Sequence, residues 1–202
     1  MAGYVNTIKD FKTKENPEIL AKVKGLQPEL YRKSISPVNS IDISKAEDKD
    51  WVITSRKSYL PEEKIILQKG TPFCFEFPNH QVGYIRFFLD VVGSPLDAPV
   101  HLRVKLGEIP DELGEDTRDY HGWLSSSWLQ EEYIHVDVVP GWVELPRRFA
   151  FRYLSVEILN ESLKYQINIT NITSQTVTSG NEEVIEALPK DTTPFIKEMD
   201  EA

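Results

Sequence analysis

The chain has 202 residues, of which 40% are hydrophobic and 27% are charged, and its formal net charge is -9 at pH 7. This length and composition are typical of one globular domain with short extensions, and they suffice for a single hydrophobic core. The acidic balance excludes nucleic acids and anionic membrane surfaces as partners, because both require a basic face that neutralises phosphate.

The N-terminus shows no basic stretch followed by an apolar one, so we expect no signal peptide. No apolar run approaches the roughly 18 residues that cross a bilayer. We therefore expect a cytoplasmic protein. Its lone cysteine, Cys74, lies between two phenylalanines and cannot form an internal disulfide. We expect it to be a buried, unreactive thiol.

Residues 1–50 are interpreted as an N-terminal extension with one short helix and one edge strand. The helix is expected over residues 17–23, with Asn16 as its cap, a proline in its first position and Gly25 at its end. The edge strand is expected over residues 38–43.

From Trp51 onward the chain consists of short runs rich in β-branched and aromatic residues, separated by prolines and glycines. The most regular run is 100–106, in which apolar residues alternate with polar ones. Further strands are predicted over residues 51–54, 64–67, 73–77, 82–92, 133–138, 151–159 and 165–177. About nine strands without intervening helices predict an all-β domain over residues 51–179, an antiparallel β-sandwich of jelly-roll type with short helical segments at both ends.

Residues 180–202 are interpreted as a helical linker toward a further domain. Asn181 is placed to cap a short helix that ends at Leu188, with two glutamates at its positive end. A second helix is expected to begin at Phe195.

Aromatic and charged side chains are concentrated in residues 119–148, which contain three of the four tryptophans. Carbohydrate sites combine an aromatic platform with charged hydrogen-bonding groups. The candidate platforms are Tyr120, Trp123 and Trp128, and the candidate polar groups are Asp119, Glu131, Arg147 and Arg148. The alternative is structural: Trp128 anchors a long loop, Trp142 packs under a strand, and the arginines pair with Glu131, Glu132 or Glu144.

The segment 111–116 places four acidic residues around a glycine. Such oxygen ligands suit calcium, but the spacing is not that of an EF-hand loop and acidic turns are commonly just solvated. We therefore expect no cofactor and no metal, with calcium as the alternative.

Features of a stand-alone enzyme are missing from the sequence. A metal-dependent β-sandwich enzyme would need clustered histidines, and the four histidines are far apart in sequence at positions 80, 101, 121 and 135. No nucleophile elbow, phosphate loop or dinucleotide fingerprint occurs. We expect no catalytic residue in this chain.

Seven segments of the chain share a recognisable pattern in a fixed order. They are residues 51–57, 65–67, 75–84, 97–100, 106–108, 120–132 and 140–154, the last containing Leu145-Pro146-Arg147-Arg148. Together they resemble one family, the bacterial α-L-rhamnosidases of the family 78 type. In that family a β-sandwich precedes the helical catalytic barrel, and the resemblance covers roughly residues 51–177 of this chain.

The resemblance implies that the parent chain continues through the linker into an (α/α)6 barrel, where two carboxylic residues act as acid and base in an inverting hydrolysis. No residue of this chain matches those positions. We therefore expect a non-catalytic accessory domain that packs against the barrel of the same parent chain and flanks its sugar cleft. The contact candidates are Tyr120, Trp123, Trp128, Glu131, Arg147 and Arg148. The alternative is a carbohydrate-binding module that recognises rhamnose-containing glycans through Trp123 and Trp128.

Overall fold

The computed structural model describes residues 14–47, 50–180 and 194. The chain forms two compact units, Met1–Leu30 and Tyr31–Ala202. In the first unit, helix α1 spans Pro17–Gly25, and the Asn16 side chain accepts hydrogen bonds from the amides of Glu18 and Ile19 at 3.1 and 3.2 Å. The predicted helix, its cap and its end at Gly25 are confirmed. The helix predicted over residues 181–188 and the one beginning at Phe195 lie outside the described residues.

The second unit is built from β-strands that pair antiparallel throughout. Ten strands are found among the described residues: β1 Tyr31–Ile35, β2 Asn39–Lys45, β3 Trp51–Ser58, β4 Ile65–Ile66, β5 Phe73–Gly93, β6 Val100–Gly107, β7 Gln130–Val136, β8 Gly141–Glu144, β9 Phe149–Ile158 and β10 Tyr165–Thr178. A short helix, α2, spans Pro110–Gly114, and single 3-10 turns span Thr117–Asp119 and Ser126–Trp128. Within the described part of the chain, no helix is long and apolar enough to cross a membrane.

The strands form two sheets that share β5. One sheet has the order β3-β2-β5-β9-β6-β7, in which β5 contributes residues 73–76 and 81–83. In the other, residues 83–93 of β5 lie between β10 and β8, and β10 pairs on its far side with β1 and β4. The predicted all-β antiparallel sandwich is confirmed, and its jelly-roll order stays a prediction.

The two strands predicted over residues 73–77 and 82–92 are one continuous strand, so that prediction is wrong. Pro78, the proline between the two predicted strands, lies where the pairing with β9 shifts register between Glu76 and Gln81. Since proline donates no backbone hydrogen bond, it is tolerated at such an irregularity. Beyond the irregularity β5 pairs with β9 again through residues 81–83, and from Gly83 onward it pairs with β10 of the other sheet.

The strand predicted at an edge also has a different position. Strand β2 has neighbours on both sides, because it pairs with β3 along its whole length and with β5 through Asn39–Ile41. Strands β1 and β8 were not predicted. Both are short, and their pairing with β10 and β5 stabilises them.

The main core lies between the two sheets and is rich in aromatic side chains. Its largest fully buried members include Phe75, Phe77, Phe87, Phe149 and Phe151. In β6 the apolar residues of the predicted alternation face this core and are buried, while His101 and Arg103 on the other face are partly exposed. The predicted period of two is confirmed.

A second, smaller cluster covers the outer face of the larger sheet under helix α2. It consists of Ile41, Cys74, Leu113 and Tyr153. Cys74 is 5% exposed and free, as predicted. Burial raises the pKa of its thiol to about 11, so the reactive thiolate is scarce at neutral pH.

We expect Cys74 in the folded protein to react with a disulfide reagent at pH 8 at least about two orders of magnitude more slowly than in the urea-unfolded chain, because an unperturbed thiol has a pKa near 8.5. Absorbance of the released thiolate follows the reaction. The variant Cys74→Ala combined with the exposed Ser94→Cys is the control and should react at the same rate folded and unfolded. Equal rates for native and unfolded Cys74 would show that the thiol is accessible.

Candidate functional site

The candidate site is built on the connection between β6 and β7. We call residues 117–129 the tryptophan loop. The segment just before this loop is hydrogen-bonded to Lys105, a buried residue of β6. The Lys105 ammonium group donates to the carbonyl oxygens of Leu113, at 3.1 Å, and Glu115. Burial lowers the pKa of Lys105. This lysine joins the segment before the loop to the sheet.

Polar side chains shape the first turn of the tryptophan loop. The Asp116 carboxylate caps the turn Thr117–Asp119 by accepting from the Arg118 amide at 2.9 Å, and it also accepts from the Arg118 guanidinium at 2.9 Å. These hydrogen bonds with Arg118 hold the pKa of Asp116 far below its usual range. Further along, the Tyr120 ring covers Gly122, where a Cβ atom would lie 2.0 Å from the tyrosine oxygen.

The second turn of the loop is capped in the same way. The Ser125 hydroxyl accepts from the Ser127 amide at 3.3 Å, and the two hydroxyl oxygens lie 2.8 Å apart. Local hydrogen bonds of this kind favour turn geometry. The backbone of the loop is thus supported at both turns without any help from its tryptophans.

The tryptophan side chains of the loop project into solvent. Trp123 is 93% exposed and Trp128 is 76% exposed, and Leu124 beside them is also exposed. Trp128 therefore does not anchor the loop, contrary to the structural alternative. Trp142, on β8, is half-exposed and packs edge-on against Phe88 with ring centroids 5.4 Å apart. Several large apolar side chains exposed on one loop are typical of an interaction site.

Beside the tryptophans, the loop and the neighbouring strands enclose an open groove of about 490 Å³. We call it the charged groove. Its lining comprises Thr117, Arg118, Ser126, Ser127, Leu129, Glu131, Tyr133 and Arg147. Two of the predicted site residues, Glu131 and Arg147, thus meet in one groove, whereas the rings of Tyr120, Trp123 and Trp128 do not line it.

The charges of the groove are partly compensated inside the domain. The Glu131 side chain is 7% exposed, accepts from the Tyr133 hydroxyl at 2.9 Å and lies 3.9 Å from Arg103. Arg147 forms an ion pair with Glu132 at 2.6 Å and lies over the Phe149 ring, 4.4 Å from its centroid. The predicted pairing of Arg147 with a neighbouring glutamate is confirmed.

Arg148 differs from Arg147. It is exposed and has no ion pair or hydrogen bond to any described residue. Sequence reasoning also missed Arg118 and Tyr133 as groove residues. The alternation of β7 contained a signal for Tyr133, because residues two apart on a strand share a face and Glu131 was already a candidate. No comparable signal pointed to Arg118.

The charged groove is not built for glycoside hydrolysis. That reaction uses a pair of carboxyl groups flanking the scissile bond. Among the lining residues Glu131 is the single carboxylate, and it is already hydrogen-bonded. The groove instead offers two guanidinium groups, four hydroxyl groups and a leucine, which is the composition of a contact surface.

The acidic segment 111–116 is engaged by donors from the protein itself. Asp111 accepts from the Trp51 amide at 2.9 Å, and Glu115 accepts from Lys45 at 2.7 Å and from the Trp51 indole at 2.8 Å. Over residues 14–47 and 50–180, no three or more histidine, cysteine, aspartate or glutamate side chains are grouped so that they could hold a metal ion. Calcium binding there stays an untested alternative.

Comparison with known proteins connects this fold to one family. The profile of the glycosyl hydrolase family 78 alpha-rhamnosidase N-terminal domain matches residues 37–176. Among solved structures, a rhamnosidase from Klebsiella oxytoca with rhamnose bound is similar with a TM-score of 0.69 and 34% sequence identity, covering 82% of this chain. A family 78 rhamnosidase of Bacillus sp. GL1 gives a TM-score of 0.43 and 15% identity over 62% of this chain.

The chain spans 33% of the length of the Klebsiella oxytoca protein and 13% of the Bacillus protein. No curated protein matches. The family profile covers more than half of the chain, and its range includes most of the sandwich, the tryptophan loop and the charged groove. The chain therefore belongs to the family of N-terminal domains of glycosyl hydrolase family 78 alpha-rhamnosidases.

Proposed function

We propose that this chain is the non-catalytic accessory sandwich of a bacterial α-L-rhamnosidase-like glycoside hydrolase, and that it packs against the catalytic domain of the same parent chain. Support comes from the family match over residues 37–176 and from the one-third share of the Klebsiella oxytoca rhamnosidase that the chain spans. The cytoplasmic location stays a prediction.

The observation that carries the contact is the exposure of Trp123 and Trp128 on a loop that is held in shape without them. A tryptophan buries on the order of 150–250 Å² when it is covered. At about 25 cal/mol per Å², covering one such ring contributes roughly 4–6 kcal/mol before the entropic cost of ordering. A catalytic domain seated on the tryptophan loop would gain this energy.

The charged groove supports the same contact. Arg118, which lines the groove and is paired with Asp116, and Arg148, which follows Arg147 in the sequence, are both exposed. Arginine and tryptophan are the residues most enriched among the energetically dominant positions of protein interfaces. We therefore assign Tyr120, Trp123, Trp128, Glu131, Arg147 and Arg148 to the surface that faces the catalytic domain.

The alternative of an independent carbohydrate-binding module gains no support from the comparisons, which match an enzyme's N-terminal domain. Tryptophan fluorescence separates the two functions. An accessory domain leaves the emission unchanged during titration with rhamnosides, while a binding module would quench or shift it through Trp123 or Trp128.

The proposal is tested by comparing this chain with the protein extended through the coding sequence that follows Ala202. We expect the extended protein to hydrolyse a chromogenic α-L-rhamnoside and the 202-residue chain to release no product above the buffer blank. Hydrolysis by the 202-residue chain alone, or an extension that encodes no second domain, would contradict the proposal.

We expect the double variant Trp123→Ser, Trp128→Ser to weaken docking in the extended protein. Each tryptophan at the centre of an interface contributes about 2–4 kcal/mol. The two domains should then unfold in separate thermal transitions instead of one, as measured by differential scanning calorimetry. In the 202-residue chain the same variant should leave stability within about 0.5 kcal/mol, because both side chains are exposed.

The matched control is Trp142→Ser, which removes a half-exposed tryptophan that already contacts Phe88 and Arg86 within the domain. This control should leave the single transition of the extended protein intact. If Trp142→Ser separates the transitions and the double variant does not, the docking surface lies on the β8 side of the sandwich and the assignment is wrong.

A further inference from the structure

Two histidines far apart in sequence meet on the outer face of the larger sheet. The rings of His101, on β6, and His135, on β7, are stacked with their centroids 4.1 Å apart and their planes within 13° of parallel. His135 is exposed and His101 is partly exposed. Both rings are therefore accessible from solvent. Neither histidine lines the charged groove, although Tyr133, which does, lies next to His101.

The register explains why the rings are so close. His101 and His135 are direct cross-strand partners. The His101 amide donates to the Asn160 side chain at 2.8 Å and its carbonyl oxygen accepts from the Leu159 amide at 2.8 Å. Both backbone groups of His101 thus point toward the strand on its other side. Against β7 it forms a non-hydrogen-bonded pair, in which facing side chains approach most closely.

The backbone under His101 is well supported. Besides accepting from the His101 amide, the Asn160 side chain donates to the carbonyl oxygen of Pro99 at 3.2 Å. One asparagine therefore ties the start of β6 to the end of β9. The backbone that carries the two histidines is therefore pre-organised.

Paired neutral imidazoles are ligands for borderline divalent transition metals, above all zinc, nickel and copper. A metal ion bound at 2.0–2.1 Å holds two ring nitrogens about 3 Å apart at angles between a right angle and the tetrahedral angle. In the stacked arrangement the two ring planes are nearly parallel, so both rings must turn about their side-chain torsions before a nitrogen of each points at one ion. The exposed position of His135 and the partly exposed one of His101 leave room for this turn. We propose that His101 and His135 form a surface site for a divalent transition-metal ion, with solvent as the remaining ligands.

The surroundings of the pair do not oppose a cation. The nearest positive residue along the same face of β6 is Arg103, and its guanidinium is paired with Glu157 and lies 3.9 Å from Glu131. Tyr133 lies beside His101 with ring centroids 6.2 Å apart. Since β7 is the last strand of its sheet, a bound ion would join this edge strand to β6 through side chains as well as backbone.

The test is calorimetric titration of the 202-residue chain with Ni²⁺ and, separately, Zn²⁺. We expect one equivalent of metal to bind, and His101→Gln or His135→Gln to weaken binding by at least about tenfold, since each removes one of two ligands. The thermal midpoint of the unsubstituted chain should rise with metal concentration. The double variant His80→Gln, His121→Gln, which removes the other two histidines, should bind as the unsubstituted chain does.

Two results would overturn the site. One is the absence of a titratable heat or thermal shift in the unsubstituted chain. The other is unchanged affinity in His135→Gln, whose exposed position makes a folding defect no concern. Binding that disappears in the His80, His121 variant would place the metal elsewhere and would equally refute the pair.

Discussion

Replacing Phe151 by alanine is expected to lower the free energy of unfolding by about 3–5 kcal/mol, the range for truncating a buried phenylalanine. Phe151 is 0% exposed. Its ring meets Phe77 edge to face, with centroids 5.2 Å apart and planes at 88°. Its backbone pairs with Gln81, just beyond the irregularity of β5. The cavity would therefore open where one strand passes between the two sheets and where relaxation of the backbone is constrained.

Urea unfolding followed by circular dichroism measures this loss as a lower midpoint at an unchanged slope. The matched control is Trp128→Ala, which removes an even larger ring from a position that is 76% exposed and should change stability by no more than about 0.5 kcal/mol. If the two variants have similar midpoints, the phenylalanine cluster is not the main source of stability and the core described above is incorrect.

Replacing Glu76 by glutamine is expected to cost about 2–3 kcal/mol at pH 7, because it removes a charge from a nearly buried hydrogen-bonded network. The Glu76 carboxylate accepts from Arg56 at 2.8 Å and from Asn39 at 2.9 Å, and Arg152 lies 3.6 Å away. It joins β5 to β2 and β3 and faces β9. The hydrogen bond from Arg56, assisted by Asn39 and by the charges of both arginines, lowers the pKa of Glu76.

The lowered pKa predicts the direction of the pH dependence. An unfolded glutamate titrates near pH 4.3, and the folded one titrates below that value. The stability contributed by Glu76 is therefore fully present above the unfolded pKa and is lost as the pH falls through the folded pKa. The difference in unfolding free energy between the wild type and Glu76→Gln should be constant from pH 7 to about pH 5 and shrink below about pH 4.

Urea unfolding of both proteins at intervals from pH 7 to pH 3 measures this difference. The wild type and the variant share all other carboxylates, so the titration of those groups cancels in the difference. The control is Glu63→Gln, whose ion pair with Lys57 is solvent-exposed and should contribute no more than about 1 kcal/mol. A Glu76→Gln variant as stable as the wild type at pH 7 would show that Asn39 and water compensate for the lost ion pair.

The pre-organised loop also bears on how this domain would meet a catalytic partner. The turns around Arg118 and Ser127 are already hydrogen-bonded, so the backbone of the tryptophan loop need not order itself on docking. Ordering side chains and loops is a principal cost of association. Because the backbone of the tryptophan loop is already ordered, docking costs less conformational entropy and the contact is more stable. This agrees with the proposed role of the loop inside a single parent chain.

Local features of the sequence predicted much of the fold. The alternation of 100–106 predicted which side of β6 is buried, Asn16 predicted the start of α1, and the apolar neighbours of Cys74 predicted its burial. The segments that resemble family 78 rhamnosidases, which follow one another in order along the chain, also indicated the family. The profile match over residues 37–176 confirms it. These features depend on residues a few positions apart, whose spacing determines which face of a helix or strand they occupy.

The remaining features depend on register and on the path of the chain between sheets. Sequence spacing could not show that β5 does not end at Pro78, that His101 faces His135, or that Glu131 and Arg147 share a groove. Cross-strand neighbours are set by how whole strands align, and a shift of one residue would place each side chain on the opposite face. The sequence by itself determined most of the strands and the family, because these depend on local spacing, and the tertiary structure decided which side chains meet.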